Sequence, residues 1–385
     1  MADPLTKASM LAILITFLGF GIHHSSISIA QPISTDCEKL IGNQYIAACD
    51  RETVLNPQDA ITFLNRGIDW GRKGDHDKAI ADYNEAIRLN QRNAVAFFAR
   101  GNSWSSKSDR DRAIADYNEA IRLNLGNADV FFARGNSWSG KGDHDRAIAD
   151  YSDAIRLNPQ FAYAFYSRGI AWERKGDTDR AIADYNEAIH LNPQYANAFY
   201  SRGIAWELKG DNDKAIADYN EGIRLNPQYA SAYVVRGNAW RNKGDNDKAI
   251  ADYNEAIRLN PQFARAFLNR GVAWGRKGDN DRAIADYDEA IRLNPHYALA
   301  FTNRGNAWTL KGEHNRAIAD HDEAIRLNPQ EAVAFFARGL SWEQKNELAL
   351  ALRDFKSFVR LNPNDPNGIK EVQRIEMKID ARNRK

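Results

Sequence analysis

Every tryptophan of this chain lies 34 residues from the next: Trp70, Trp104, Trp138, Trp172, Trp206, Trp240, Trp274, Trp308 and Trp342. So strict a period marks a stack of like supersecondary repeats, because no single repeat of this size can bury its own apolar face. The rest of the sequence keeps the register. With Ala60 as position 1, the first repeat has Phe63 at 4, Gly67 at 8, Trp70 at 11, Ala79 at 20, Tyr83 at 24 and Ala86 at 27. Seven repeats close on a proline at position 32, from Pro159 to Pro363.

Each recurring letter has a mechanical reason. Gly at 8 and Ala at 20 and 27 let two antiparallel helices approach closely. The aromatics at 4, 11 and 24 fall at helical spacing and fill the seams within and between repeats. In the KGD segment, Gly at 15 supplies a left-handed residue that ends the first helix, and the Asp after it can cap the second. Asp at 18 then sits in a first turn, where the helix dipole favours an anion. Asn-Pro stops the second helix, since the residue before proline is pushed out of the α region.

These residues at these positions resemble the tetratricopeptide repeat family over residues 60–365, in nine copies. Three family positions differ: the first aromatic is Phe (Tyr233 once), the second is Trp, and Arg stands at position 7 in place of Leu. The resemblance implies an all-α fold, a right-handed superhelical solenoid of tandem helix-turn-helix units. It also implies that the first helices line a concave face into which positions 2, 5, 6, 9, 12 and 13 point.

Two rows of charge accompany the scaffold. Arg fills position 7 in all nine repeats, Arg66 to Arg338, and Asp fills position 23, Asp82 to Asp354. The matched rows predict an exposed Arg–Asp pair between the two helices of each repeat, contributing about 0.2–1 kcal/mol; an arginine ladder for acidic ligands is the alternative. Lys at 14, and Arg at 29 with Glu or Asp at 26, read as solvated helix faces.

The ends depart from the pattern. Ala8 to Ile22 is a fifteen-residue apolar run behind Lys7, followed by Ser28 and Ala30 before Gln31. Residues 1–30 therefore read as a secretory signal peptide, with an uncleaved anchor as the alternative. Residues 31–59 read as an N-terminal half-repeat cap, because YIAACDRETVLNPQ aligns without a gap to AIADYNEAIRLNPQ, with Cys49 in the Tyr slot. Cys37 and Cys49, the only cysteines, could form a disulfide in an oxidising compartment, or remain thiols. Beyond residue 365, Ile369, Val372, Ile375 and Ile379 recur at near-helical spacing, as a capping helix over 366–385 would require.

Few residues suggest chemistry. No phosphate loop, nucleophile triad or metal-ligand spacing is present, so neither a cofactor nor a metal is expected. GDHD at 74–77 and 142–145 is the helix cap, since its His varies among sister repeats. His321 occupies a Tyr slot and reads as a packed ring. Lys plus Arg (52) balances Asp plus Glu (51), which argues against nucleic acid as a partner.

Function must then sit where the repeats vary. Position 5 carries Phe98, Phe132, Tyr166, Tyr200 and Phe336; position 9 carries Asn102, Asn136, Asn238 and Asn306; positions 12 and 13 carry Arg241 and Arg174. Such a row of rings and amides suits an extended peptide, whose backbone the amides can pair and whose apolar side chains the rings can take. No repeat has the Lys at position 5 that members clamping acidic chaperone tails use. The expectation is a non-enzymatic adaptor or scaffold that binds protein segments in a bacterial periplasm or outside the cell. With an uncleaved leader it would be anchored at the inner membrane. A self-associating or spacer solenoid, and an accessory to polysaccharide export, are the other readings.

Overall fold

The computed structural model describes residues 12–14, 26–28 and 43–383. Ala12–Leu14 (β1) and Ser26–Ser28 (β2) pair antiparallel, Ala12 opposite Ser28. Every other element among the described residues is a helix. The chain divides into two compact units, Met1–Gln194 and Tyr195–Lys385, and the division falls one residue short of a repeat boundary.

The first unit starts with α1 (Asn43–Leu55). Four helix pairs follow: α2 (Ala60–Arg72) with α3 (His76–Leu89), α4 (Ala94–Ser106) with α5 (Arg110–Arg122), α6 (Ala128–Gly140) with α7 (His144–Leu157), and α8 (Ala162–Arg174) with α9 (Thr178–Leu191). The second unit holds five pairs: α10 (Ala196–Leu208) with α11 (Asn212–Leu225), α12 (Ala230–Asn242) with α13 (Asn246–Leu259), α14 (Ala264–Arg276) with α15 (Asn280–Leu293), α16 (Ala298–Leu310) with α17 (His314–Leu327), and α18 (Ala332–Gln344) with α19 (Leu348–Leu361). Helix α20 (Pro366–Asn383) closes it.

The boundaries follow from local chemistry. In seven repeats the Asp at position 16 caps the second helix, as Asp245 does by accepting from the Lys248 amide at 3.1 Å. Glu313 and Glu347 stand in that slot in the last two repeats and make no side-chain cap bond. The turn before the cap needs a left-handed residue. Gly244 supplies it at φ 87°, while Ser108 and Asn346 take the same conformation at φ 62° and 63° in repeats that lack the glycine.

Packing explains the small residues more closely than backbone approach alone. A Cβ on Gly237 would lie 2.7 Å from Cε1 of Tyr253, so position 8 is empty to admit the position-24 ring of the same repeat. Ala249 and Ala256 are fully buried on either side of that ring. Trp240 packs between the cores of two successive repeats, and Lys248 sits 4.2 Å from its ring centroid as a cation–π partner.

The Arg–Asp pairs form, but not as surface pairs. Arg236 Nε and Nη2 donate to the two carboxylate oxygens of Asp252 at 2.9 and 2.6 Å, and the Asp252 side chain keeps only 8% exposure. The remaining Nη1 crosses to the preceding repeat and donates to Asn220 Oδ1 at 2.7 Å. The same third bond runs from Arg100 to Asn84 and from Arg270 to Asn254, and becomes a second ion pair from Arg304 to Asp288 and from Arg338 to Asp322. In the first unit Arg66 reaches back to Asp50 of α1, which ties the half-repeat to the array. Burial pushes the Asp184, Asp252, Asp286 and Asp320 carboxyls above their ordinary value, outweighing the arginine beside each.

Position 14 is likewise more than a solvated face. Lys243 pairs with Asp213, and Lys277 with Asp247, each reaching the first turn of the preceding second helix. These pairs are exposed and contribute little. At the C-terminal end α20 lays Ile375, fully buried, against Phe355. Cys49 is buried within α1, whereas Cys37 lies outside the described residues.

Two outcomes follow. Replacing Arg236 by Ala strands a buried carboxylate, so it and Asp252→Ala should each cost about 3 kcal/mol, and the double variant clearly less than their sum. Additive losses in thermal or urea denaturation would remove the pair as a stabilising element. Gly222 holds position 27, where seven sister repeats carry Ala, and a Cβ there would meet nothing nearer than 3.5 Å. Gly222→Ala should therefore stabilise by about 0.5–1 kcal/mol, read as a raised melting temperature.

Candidate binding face on the first helices

Within each unit successive first helices touch: α2 on α4, α4 on α6 and α6 on α8, then α10 on α12 through to α18. The first helices therefore lie on the inner side of each unit's bend. The second helices repeat nearly one sequence, so the chemistry that distinguishes one repeat from another is concentrated on this inner face.

The position-5 rings are partly core. Phe98 is only 3% exposed, packed on Tyr117 with ring centroids 5.9 Å apart. Phe132, Tyr166 and Tyr200 are half-buried and pack the same way on Tyr151, Tyr185 and Tyr219. Phe336 lies against Phe355 and Phe358. Each of these rings thus rests on the second helix of its own repeat, and all but Phe98 keep part of their surface exposed.

A third ring completes this floor, and its position was overlooked in the sequence. Position 34 is aromatic in five successive repeats: Phe161, Tyr195, Tyr229, Phe263 and Tyr297. Phe161 sits 4.8 Å from Phe132, and Tyr229 meets Tyr200 edge-on at 5.2 Å. These residues hold the N-cap site of the next first helix without any side-chain cap bond, so packing replaces capping there. The recurrence two residues after Asn-Pro was the available signal.

The amides at position 9 are oriented by tyrosines. Tyr117 donates to Asn102 Oδ1 and Tyr151 to Asn136 Oδ1, each at 2.8 Å. Asn238 Oδ1 accepts twice, from Tyr253 at 2.8 Å and from Asn269 Nδ2 at 3.1 Å. With the oxygen occupied, the NH2 group is the one left to face a ligand, so these positions offer donors. Where position 9 is Ile170 or Ile204, the tyrosine turns instead to the carboxylate at position 12: Tyr185 to Glu173 at 2.8 Å and Tyr219 to Glu207 at 3.0 Å. Burial holds the tyrosines neutral, with Tyr200 and Tyr253 each pushed up to about 12.

The remaining charges differ in availability. Glu343 is taken by the C-terminal helix: Arg374 and Lys378 both bind it and hold its carboxyl down at about 2. Arg174 is exposed at the end of α8. Arg241 is half-buried, and its Nε has no partner. Asn306 is half-buried beside a gap in the tyrosine row, because position 24 of its repeat is His321. That imidazole is fully buried, with neither nitrogen hydrogen-bonded. It is the packed ring the sequence led us to expect. Among the described residues no group of His, Cys, Asp and Glu could hold a metal ion.

Comparison with known proteins agrees with this architecture. A profile described as TPR repeat matches residues 72–104 and 237–278. Two described as Tetratricopeptide repeat match residues 98–160, 132–196, 174–230 and 311–366, and residues 264–297. No curated protein matches the chain. A tetratricopeptide repeat protein from Parabacteroides merdae is 20% identical, with a TM-score of 0.53, over 65% of this chain and 98% of its own. The Cut9–Hcn1 hetero-tetramer of APC/C gives 16% identity and a TM-score of 0.53 over 82% of this chain and 76% of its own. YrrB, described as a TPR protein with an unusual peptide-binding site, is 24% identical over 49% of this chain and 96% of its own, with a TM-score of 0.43. For the first two structures, at these identities, the likeness is one of fold.

The buried imidazole makes stability depend on pH. Burial first, and the Arg338 charge second, push His321 down to about 4 from an ordinary 6.5. Above pH 6.5 the ring is neutral both folded and unfolded. As pH falls below that, the unfolded chain binds the proton first, and stability drops until about pH 4, by about 3 kcal/mol in all. Tyrosine fills this slot in seven sister repeats. The melting temperature of His321→Tyr should therefore pull away from that of the parent between pH 6.5 and 4. A gap constant across that range would show that the native ring takes up its proton freely.

Proposed function

The chain belongs to the tetratricopeptide repeat family, and from that premise we propose that it is a non-catalytic adaptor or scaffold binding extended protein segments along its first-helix face. The observation that carries this reading is where apolar surface is left uncovered. Within the paired helices of the described residues, four of the five large apolar side chains left exposed, Leu208, Leu299, Leu310 and Val333, belong to first helices, and only Leu157 to a second helix; further ones lie on the terminal helices α1 and α20. The four stand at positions 2 and 13, which vary from repeat to repeat. Exposed apolar side chains rimmed by polar groups are the usual mark of a protein-binding surface.

The donors at Asn102, Asn136 and Asn238 suit backbone carbonyls, and the ring edges suit apolar side chains, so an extended segment fits better than a folded surface. On the reading of residues 1–30 as a leader, this binding belongs outside the cytoplasm, in a bacterial envelope or beyond it. Among the described residues no helix is long and apolar enough to cross a membrane; residues 8–22 of the alternative anchor lie largely outside them.

The test leaves the fold intact. A photo-crosslinking phenylalanine is placed singly at Leu208, Leu299 or Leu310 on first helices, and at Ala217, Ala251 or Ala285 on exposed faces of second helices. Irradiation in the producing cells should give adducts with another protein from the first set and not from the second. Adducts confined to the second set would move function to the outer face. Adducts only with another copy of this chain would replace adaptor by self-association.

A further inference from the structure

The first-helix face of the second unit carries a charge imbalance that the nearly neutral chain as a whole conceals. Arg241 at position 12, Arg276 at position 13 and Arg265 at position 2 stand on the neighbouring helices α12 and α14. Among the described residues none of the three is in an ion pair, unlike the position-7 arginines beside them. Arg276 Nη1 donates to the Arg241 carbonyl at 3.1 Å, which brings its guanidinium across to the preceding repeat. Arg241 keeps a buried Nε without a partner.

Arg241 and Arg265 both act on Glu207, but that group already accepts from Tyr219 and from Asn242, at 3.0 and 3.3 Å. Arg241 and Arg265 thus share a carboxylate that is already committed, and Arg276 has no ion-pair partner among the described residues, so this stretch of the face is locally positive. On the first-helix face of the first unit, Arg72 is paired with Asp69, and the exposed Arg174 has no second arginine at positions 2, 12 or 13 of the neighbouring α6.

The flanks of this cluster are apolar. Along position 13 the second unit reads Leu208, Asn242, Arg276 and Leu310 in four successive repeats, with Leu208 67% and Leu310 73% exposed. Neighbouring packed helices lie about 10 Å apart, and an extended chain advances about 3.3 Å per residue, so one repeat spans about three ligand residues. We infer that the second unit selects an extended acidic segment flanked by apolar side chains, with Asp or Glu on Arg241, Arg265 and Arg276 and apolar residues about nine apart on Leu208 and Leu310. Planar guanidinium groups suit carboxylates, and the flanking leucines exclude water around them, which strengthens the charge contacts. This selectivity rests on the first-helix face being the binding face.

The experiment is a selection of random displayed peptides on the full-length chain, with the enriched peptides then synthesised and titrated by fluorescence anisotropy. The expected winners carry one or two acidic residues between apolar ones, and they weaken at least tenfold between 50 and 300 mM salt. Arg265 and Arg276 are exposed, so Arg265→Gln with Arg276→Gln spares the core, and it should cost those peptides at least tenfold. Arg265→Glu with Arg276→Glu should shift enrichment to basic segments, and Arg241→Lys should retain part of the affinity. Winners that are neutral or basic on the parent, or acidic winners unaffected by the double variants, overturn the acidic selectivity while leaving the face a peptide binder. No enrichment above background on any variant overturns the binding face itself, and this inference with it.

Discussion

The array depends on one arginine per repeat. A guanidinium has a planar fork and one further donor set at an angle to it, and position 7 uses both. The fork closes on the buried Asp of the partner helix, and the extra donor crosses to the repeat before, as Arg236 does between Asp252 and Asn220. A lysine could not make this arrangement, since a single ammonium lacks the fixed geometry. The carboxylate is buried deeply enough that desolvation raises it despite the arginine. Such a pair contributes modestly beyond an apolar alternative but is costly to break, so it specifies the angle between helices as much as it stabilises them.

Because the staple, the ring at position 24 and the small residues that admit it are the same in nearly every repeat, stability is spread as similar nearest-neighbour joints. The inner face is relieved of holding the array together and is left to vary. The division is not complete. Position-5 rings such as Phe98 belong to the core on one side, and the tyrosines of the second helices decide how the inner-face amides point. A change at position 9 therefore reroutes the tyrosine: with Asn238 it binds an amide, and with Ile204 it turns to Glu207. Scaffold and binding surface share a layer of hydrogen bonds.

Much of this was legible in the residue order. The 34-residue period, the left-handed turn at Gly244 and the Asp245 cap are local matters, and short-range sterics and capping settle them. The pairing of Arg with Asp could be read from their matched rows, but not its burial, nor the third bond to Asn220. Those depend on how closely two repeats stack. The commitment of Glu343 to Arg374 and Lys378 was likewise hidden, because its partners stand outside the periodic region. The position-34 rings were visible as a recurrence, yet their meaning is a contact with position 5 that sequence separation does not reveal.

The sequence by itself determined the class of fold, the number of repeats and the division between constant and variable helices. Periodicity is a property of the chain, and each repeat draws on interactions within a few turns. Only the tertiary structure decided which charges are spent and which remain. Arg236 and Arg241 lie five residues apart on one helix and look alike in the sequence. Packing gives the first a buried carboxylate and leaves the second with an unpartnered nitrogen, because a guanidinium's fate depends on what the neighbouring helix places opposite it.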